Sequence, residues 1–495
     1  MKNKTLHLLL ILSLLPLLGF SQLVDWFQRG IKALDPKDQI EFFTKDIEFK
    51  GATNRSYFYR GIAKTKIDDY QGAVLDISMA IMLGPAVDQE YYYRAIAYDE
   101  LNDYKNSIED YTKVIEHNPH HKDSYYYRGL ARKKLHDYKN ALTDFAKAIE
   151  IDSTNSSYYF QSGYCKSELG DNQGSIVDYS KSLIIDPTDS YAYDNRGLVK
   201  YDLKDYQGAV SDYTKAIKYD STDYQTYRNR ANALKSLMKY DSALWNYNKA
   251  LVLKPTDLDA LYYRGAVKIL LKDFKGALSD YAKNIEIDPK DKYGYFGMGN
   301  TKFELKDYHG AISEYFKAIE IDPEYEAAYN KVGNVKMALK DYQGAESQYI
   351  KAIALSPDNT LYYSNLVKLY SSQKKYTEAI NVYEKGLKSN PDAYGLWDNF
   401  GYLYLEIENY DMAITQFLQC LKIEKNPDKI DAILGLALAY YSKNDKENCS
   451  KYLDQAKLIY PDLNKGMKGL QEVMKDGFTY SEKEMKVLKK IFREN

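Results

Sequence analysis

Cysteine, proline, tryptophan and histidine are all scarce in this sequence of 495 residues, with 3, 12, 3 and 6 copies. Three cysteines are too few for a small fold held together by disulfides. The 68 basic and 70 acidic residues nearly cancel, so a formal net charge of -2 provides no basic face for nucleic acid. We therefore expect no nucleic-acid partner.

Long apolar runs are also missing, except for one at the N-terminus. The residues MKNKTLH precede LLLILSLLPLLGF and then SQ, a basic, apolar and small-residue order that is typical of a secretory signal. The run is shorter than the ~20 residues of a membrane span and contains Pro16. We expect a signal peptide at 1–21, a mature chain without an integral membrane span, and export to the periplasm or the cell exterior.

Tyrosine, in contrast, is abundant, with 52 copies, and the sequence repeats every 34 residues. Each row has a small residue in register, an alanine or serine twelve residues later, and in nearly every row an aromatic residue four further on. We number the rows as repeats 1–12, starting at Asn54, and count the small residue as position 8. These residues are Gly61, Ala95, Gly129, Gly163, Gly197, Ala231, Gly265, Gly299, Gly333 and Gly401, with Val367 as the larger exception. A fixed period of this length indicates stacked structural units.

Within a row, apolar residues recur at intervals of three and four, which predicts two amphipathic helices. An aspartate lies at the start of each second helix in seven repeats and is expected to cap it. These caps are Asp69, Asp103, Asp137, Asp205, Asp273, Asp307 and Asp341. One helix pair cannot bury its own apolar face, so neighbouring pairs must stack into a solenoid.

The spacing resembles the tetratricopeptide repeat, in which W-x2-L-G-x2-Y, A-x3-F and P recur over 34 residues. In this chain Tyr usually replaces the Trp, and Arg often replaces the Leu before the Gly. The resemblance implies an all-α fold, a right-handed α-solenoid of antiparallel helix pairs. We expect a degenerate first repeat or cap at 22–53, twelve repeats at 54–463, and C-terminal capping helices at 464–495.

Motifs for catalysis are not found: the sequence has no phosphate-binding glycine loop, no HExxH and no G-x-S-x-G. We expect neither enzymatic activity nor a cofactor. His117, His120 and His121 form one loop that either binds a metal or is simply solvated. Cys420 and Cys449 lie in second helices of consecutive repeats and are either a disulfide or two buried thiols.

The resemblance also implies that the first helix of each repeat lines a concave groove through positions 2, 5, 6, 9, 12 and 13. Positions 5 and 6 carry aromatic residues in the N-terminal and central repeats, at Phe58, Tyr59, Tyr92, Tyr93, Tyr126, Tyr127, Phe160, Tyr262, Tyr263 and Phe296. Positions 6 and 9 carry amides in other repeats, at Asn195, Asn229, Asn232, Asn300, Asn334, Asn365 and Asn399. Asparagine can both donate to and accept from a peptide backbone. The alternative is that the tyrosines only pack against the next repeat.

Arginine at position 7 is accompanied by an aspartate sixteen residues later, and repeats without the arginine tend to lose the acid. We predict that the two side chains pair within each repeat. The predicted pairs are Arg60 with Asp76, Arg94 with Asp110, Arg128 with Asp144, Arg196 with Asp212, and Arg264 with Asp280, while Arg230 faces Asn246.

These observations favour a non-catalytic scaffold that binds extended peptide or protein segments in its groove, in an exported compartment. One alternative is binding of a glycan or cell-wall ligand through the groove tyrosines. Another is a regulatory subunit of an enzyme complex whose active site lies in the partner.

Overall fold

A computed structural model describes residues 25–85, 87–423, 429–466, 468–471 and 482–494. Every regular element in these ranges is a helix. The predicted signal peptide at 1–21 lies outside the described residues. Of the helices that the structure does describe, none has the length and apolar character needed to cross a membrane.

Twelve helix pairs follow the predicted repeats along the described residues. The first helices are Asn54–Thr65, Asp88–Glu100, Lys122–Lys134, Ser156–Glu168, Ser190–Asp202, Tyr224–Ser236, Leu258–Leu270, Lys292–Glu304, Glu326–Ala338, Thr360–Ser372, Tyr394–Glu406 and Lys429–Ser442. The second helices are Tyr70–Leu83, Tyr104–His117, Tyr138–Ile151, Asn172–Ile185, Tyr206–Tyr219, Tyr240–Leu253, Phe274–Ile287, Tyr308–Ile321, Tyr342–Leu355, Tyr376–Ser389, Tyr410–Lys422 and Lys446–Ile459. Another pair, with a short first helix Trp26–Lys32 and a second helix Pro36–Lys50, lies in the segment predicted as a degenerate repeat.

The chain divides into two compact units, with repeats 1–6 before Pro255 and repeats 7–12 from Pro255 onward. Within each unit the two helices of a repeat pack antiparallel, and the second helix packs on the first helix of the next repeat. First helices of neighbouring repeats also contact each other in both units. They form one side of each unit, which we call the first-helix surface.

Close packing inside a repeat depends on the small residue at position 8. A Cβ added to Gly299 would lie 2.5 Å from the ring of Tyr315, and one added to Gly401 would lie 2.5 Å from the ring of Phe417. Tyr315 and Phe417 are fully buried. The glycine therefore lets the first helix approach the aromatic ring of the second, which explains the register seen in the sequence.

The turn between the two helices is the same in nearly every repeat. In repeat 3, His136 has a φ of 59°. The amide of Asp137 donates to the Arg132 carbonyl at 2.9 Å, and the His136 amide donates to the Lys133 carbonyl at 2.9 Å. This is a Schellman motif. The seven predicted aspartate caps are confirmed, because each side chain accepts a backbone amide in the first turn of its second helix.

After repeat 12 the chain continues with a 3₁₀ helix, Pro461–Lys465, which packs on the preceding second helix. Leu463 and Leu470 are fully buried there. A last helix, Glu482–Glu494, is called the C-terminal helix below.

Candidate functional site

The structure brings each predicted arginine–aspartate pair together. The closest nitrogen–oxygen distances are 2.7 Å in the first four pairs and 2.6 Å in the fifth. All five aspartates are buried. In repeat 2, Arg94 Nε and Nη2 donate to the two oxygens of Asp110 at 2.7 and 2.8 Å, a bidentate geometry. In repeat 6, Arg230 Nε donates to Asn246 Oδ1 at 2.7 Å.

The same arginines also bind the preceding repeat. Arg94 Nη1 donates to Ser78 Oγ at 3.0 Å, and Arg128 Nη1 donates to Thr112 Oγ1 at 2.9 Å. Arg196 makes the equivalent bond to Ser180 at 2.8 Å. In these three repeats the guanidinium therefore joins the second helix of the preceding repeat to the second helix of its own repeat, which carries the aspartate.

A second cation, at position 11, was missed in the sequence. Arg132 contacts Asp144 at 2.7 Å. In repeats 4 and 8, which have no arginine at position 7, Lys166 contacts Asp178 and Lys302 contacts Glu314, both at 2.6 Å. These two repeats keep the acid without the arginine, because the lysine at position 11 supplies the positive charge.

The aromatic residues predicted to line the groove differ in exposure. Phe58 and Phe296 are buried and belong to the core, which corrects their assignment to the groove. Phe58 packs with Ile77, and Phe296 packs against the rings of Tyr315 and Tyr325. The others are half-buried or, in one case, exposed: Tyr59, Tyr92, Tyr93, Tyr126, Phe160, Tyr262 and Tyr263 are half-buried and Tyr127 is exposed.

These rings contact one another from repeat to repeat in the first unit. The centroids of Phe58 and Tyr93 are 5.9 Å apart, and those of Tyr92 and Tyr127 are 6.3 Å apart. Tyr127 also stacks on the buried Tyr111 at 6.1 Å. The same side chains thus pack against a neighbouring repeat and keep part of their surface accessible to a ligand. Burial raises the pKa of the Tyr92 hydroxyl.

The asparagines at position 9 form hydrogen bonds inside the repeat that the sequence analysis did not predict. In three repeats the asparagine carbonyl accepts the hydroxyl of a buried tyrosine fifteen residues later. These pairs are Tyr247 with Asn232 at 2.6 Å, Tyr315 with Asn300 at 2.8 Å, and Tyr349 with Asn334 at 2.8 Å. The sequence carries no clear signal for this bond, because Tyr111, Tyr179, Tyr213 and Tyr281 occur in repeats with Ile96, Tyr164, Leu198 and Ala266 at position 9. These three carbonyls are therefore engaged inside the protein rather than forming an open amide ladder.

The asparagines at position 6 bind mainly to the preceding repeat. Three of them donate their side-chain amide to the residue at position 5 there: Asn229 to Asp194 at 3.4 Å, Asn365 to Asn330 at 2.8 Å, and Asn399 to Ser364 at 3.3 Å. Asn195 donates to the Tyr191 carbonyl in its own helix at 2.9 Å. Ligand contacts from this row would have to use the side-chain atoms that these bonds leave available.

Asp194 is a charged residue on the first-helix surface that was not predicted. Thr226 Oγ1 donates to Asp194 Oδ1 at 2.9 Å, and Asn229 also donates to this oxygen. Burial raises the pKa of the Asp194 carboxyl to about 6. The loss of hydration therefore outweighs the two hydrogen bonds.

A cavity of about 580 Å³ opens on the first-helix surface of the second unit. Its walls include Leu361, Asn365, Asn399, Tyr402 and Leu438 from the first helices of repeats 10–12, and Val487 from the C-terminal helix. The volume is within the range of ligand-binding cavities, ~300–1,000 Å³.

The histidine loop and the two late cysteines have local partners. His117 Nδ1 lies 3.0 Å from Asp88 Oδ1, and His121 Nδ1 accepts the Ser124 amide at 3.2 Å. Across the described ranges, no group of three or more His, Cys, Asp or Glu could hold a metal ion. Cys420 and Cys449 are buried, and in the part of the chain that the structure describes no disulfide joins them.

The stacked helix pairs and the first-helix surface define a helical-repeat scaffold. Comparison with family models identifies the family of the repeat. Models described as tetratricopeptide repeat or TPR repeat match more than half of the 495 residues. The matched ranges are 89–121, 123–155, 190–223, 299–339, 336–399, 394–427 and 430–463. The chain belongs to the tetratricopeptide repeat family, and a role in protein–protein interaction follows from this membership.

Several solved structures are similar to the chain. Yeast Tom70 is 18% identical, with 79% of this chain and 96% of that chain covered at a TM-score of 0.45. A tetratricopeptide repeat protein from Parabacteroides merdae is 17% identical, with coverages of 60% and 98% and a TM-score of 0.42. YrrB, described as a TPR protein with an unusual peptide-binding site, is 23% identical, with coverages of 37% and 95% and a TM-score of 0.30. No curated protein sequence matches the chain.

Proposed function

We propose that the protein is an exported, non-catalytic scaffold that binds extended peptide segments on the first-helix surface of repeats 1–4. The observation that carries this proposal is the row of neighbouring rings at positions 5 and 6, where Tyr59, Tyr92 and Tyr93 are half-buried and Tyr127 is exposed. Export rests on the leader pattern of residues 1–21.

Partly exposed rings that are already held in place suit a binding surface. Tyr93 contacts Phe58 and Tyr92, while Tyr127 contacts Tyr111, Tyr126 and Tyr92. Because these contacts fix the rotamers, a ligand pays little conformational entropy to order them. Their faces remain available to apolar side chains of a peptide, and aromatic anchors dominate the energetics of such surfaces.

The test replaces Tyr93 and Tyr127 together by alanine and measures binding by calorimetry to the protein that co-purifies with the wild type from the exported fraction. Loss of two anchors should cost ~2 kcal/mol or more, which is about a 30-fold rise in Kd. Changing Asn195 and Asn229 to alanine should cost less, since a neutral hydrogen bond is worth only ~0.5–1.5 kcal/mol.

Tyr219 provides a matched control, because it is 40% exposed on a second helix and stacks on Tyr193 at 6.0 Å. Tyr219→Ala should leave Kd unchanged, and circular dichroism should show that all variants remain helical. Wild-type affinity for the Tyr93/Tyr127 variant would contradict the proposal. Binding of the wild type to a glycan array but to no exported protein would favour the glycan alternative.

A further inference from the structure

The C-terminal helix does not simply extend the array. Elsewhere in each unit, the helix that follows a repeat packs more on the second helix of that repeat than on its first helix. The main described neighbour of Glu482–Glu494 is instead Lys429–Ser442, the first helix of repeat 12. The second helix of repeat 12 is contacted by Pro461–Lys465. The C-terminal helix therefore lies on the first-helix surface of the second unit.

The helix binds this surface through one amphipathic face. Leu488 and Ile491 are fully buried, and Met485, Val487 and Phe492 pack against the same core. Its other face is basic and exposed, at Lys486, Lys489 and Lys490. Apolar residues at this spacing with charges opposite are the pattern of a helix that docks into a groove.

The place that it occupies overlaps the predicted groove. Val487 lines the 580 Å³ cavity together with Asn365 and Asn399 at position 6, Tyr402 at position 9 and Leu361 at position 2. These are positions that the family resemblance assigns to ligand binding. The C-terminal helix therefore shares its surface with residues predicted to bind a partner.

The fit of the helix to this surface is incomplete. The cavity beside Val487 is unfilled by side chains, and Leu361 on its wall is 55% exposed. Apolar atoms that line this open space are accessible to water, and covering them with an apolar side chain is favourable. A segment with larger apolar side chains at the same place would gain contacts that the chain's own helix does not make.

We propose that the C-terminal helix is an internal ligand of the first-helix surface of repeats 10–12, and that a partner's amphipathic helix displaces it. The partner has apolar residues at the spacing of Leu488, Ile491 and Phe492 and a larger side chain facing the cavity. This inference rests on the proposed function in that the first-helix surface is where partners bind. A tethered segment acts at an effective concentration of the order of millimolar and so weakens competing ligands.

The test uses the full chain and a fluorescein-labelled peptide with the sequence of residues 482–494, followed by fluorescence anisotropy. Leu488→Ala with Ile491→Ala in the chain should release its own helix and lower the Kd for the peptide by at least about 10-fold relative to wild type. Lys486→Ala with Lys490→Ala changes only the exposed face and should bind like wild type. If the wild type and the Leu488/Ile491 variant bind the peptide with equal affinity, the proposal is overturned. It is also overturned if that variant keeps its circular dichroism spectrum but does not bind the peptide.

The binding surface is tested in the released variant by adding Leu361→Asp, which should raise the Kd at least about 10-fold. Leu458→Asp is its control, because Leu458 is 82% exposed on a second helix. An equal effect of both changes would contradict the assigned surface.

A wild-type measurement covers the case in which the released variant loses helix. Saturating peptide should speed hydrogen exchange of the chain's own residues 482–494, whereas a peptide with the two alanine changes should not. Unchanged exchange with the wild-type peptide would contradict displacement. These assays use no protein partner, so their outcome is independent of the Tyr93/Tyr127 experiment. Displacement of the C-terminal helix can therefore be contradicted while the proposed function holds, and the proposed function can be contradicted while displacement holds.

Discussion

Arg94 and Asp110 give the sharpest test of the buried ion pairs at the scale of single residues. Asp110 has no basic residue at position 11, where Tyr98 stands, and burial raises the pKa of its carboxyl. Arg94→Met leaves this carboxylate buried without its arginine, which should cost roughly 3–5 kcal/mol. We expect a clear fall in the urea midpoint measured by circular dichroism.

Two comparisons separate the pair from general packing. Adding Asp110→Leu to Arg94→Met should recover most of the loss, because an apolar pair of similar size has no charge to desolvate. Arg128→Met should lose less than Arg94→Met, since Arg132 still contacts Asp144 at 2.7 Å. Equal losses in both single variants would show that the position-11 cation does not share the carboxylate.

Asp194 leads to a prediction about pH. Its folded-state pKa of about 6 is above the ordinary value of 3.8, so the folded state binds the proton more tightly than the unfolded state. The contribution of Asp194 to stability should therefore fall as pH rises from about 4 to about 6 and stay reduced at neutral pH. Asp194→Asn keeps an acceptor for Thr226 and should raise stability at pH 7 by about 1–2 kcal/mol.

The check is the thermal midpoint between pH 4 and 7. In this window the decline should be smaller in Asp194→Asn than in wild type. Asp220 is the matched control, because hydrogen bonds from Thr222 lower the pKa of its carboxyl. Asp220→Asn should therefore not stabilise the protein at pH 7, and a gain of similar size in both variants would argue against desolvation of Asp194 as the cause.

The turn between the two helices of a repeat recurs regularly at the scale of elements. Its left-handed residue has an unfavourable backbone conformation unless it is glycine. Lys306 has a φ of 63°, a conformation that L-residues other than glycine adopt at a cost. Repeat 4 has Gly170 at the equivalent place, with a φ of 80°. Lys306→Gly should therefore stabilise the protein by about 1 kcal/mol, seen as a higher thermal midpoint. The reverse change, Gly170→Lys, should lower the midpoint by a similar amount, and a fall in both variants would contradict this account.

At the scale of the whole molecule, helices contact mainly their own repeat and the adjacent repeats. We therefore expect the array to tolerate deletion of one repeat length. Within the first unit each helix packs on its own repeat or on an adjacent one. Removal of 34 residues, from Gly197 to Arg230, joins Arg196 to Ala231 at the same repeat position. The shortened chain should fold, because a repeat array is stabilised by each repeat and its neighbouring interfaces. Circular dichroism should show unchanged helicity per residue, and a collapse of helicity would contradict the nearest-neighbour account.

The features that repeat inside one row can be predicted from the order of residues alone. The helix pairs, the aspartate caps and the buried pairs such as Arg128 with Asp144 could be predicted, because their contacts join residues at one fixed separation in many rows. The twelve rows act as an alignment of the chain with itself. A contact that recurs at a separation of sixteen residues is therefore visible in the order of residue types alone.

The three-dimensional structure was needed to find contacts between rows and the positions of segments without a repeat. It placed Phe58 and Phe296 in the core, since the burial of a stripe residue depends on its neighbours in three dimensions. It also placed the C-terminal helix on the first-helix surface, because an amphipathic pattern predicts that a face is buried but not which partner covers it. The cation at position 11 is different, because it contacts an acid twelve residues later in its own row, a fixed separation that the sequence also contains.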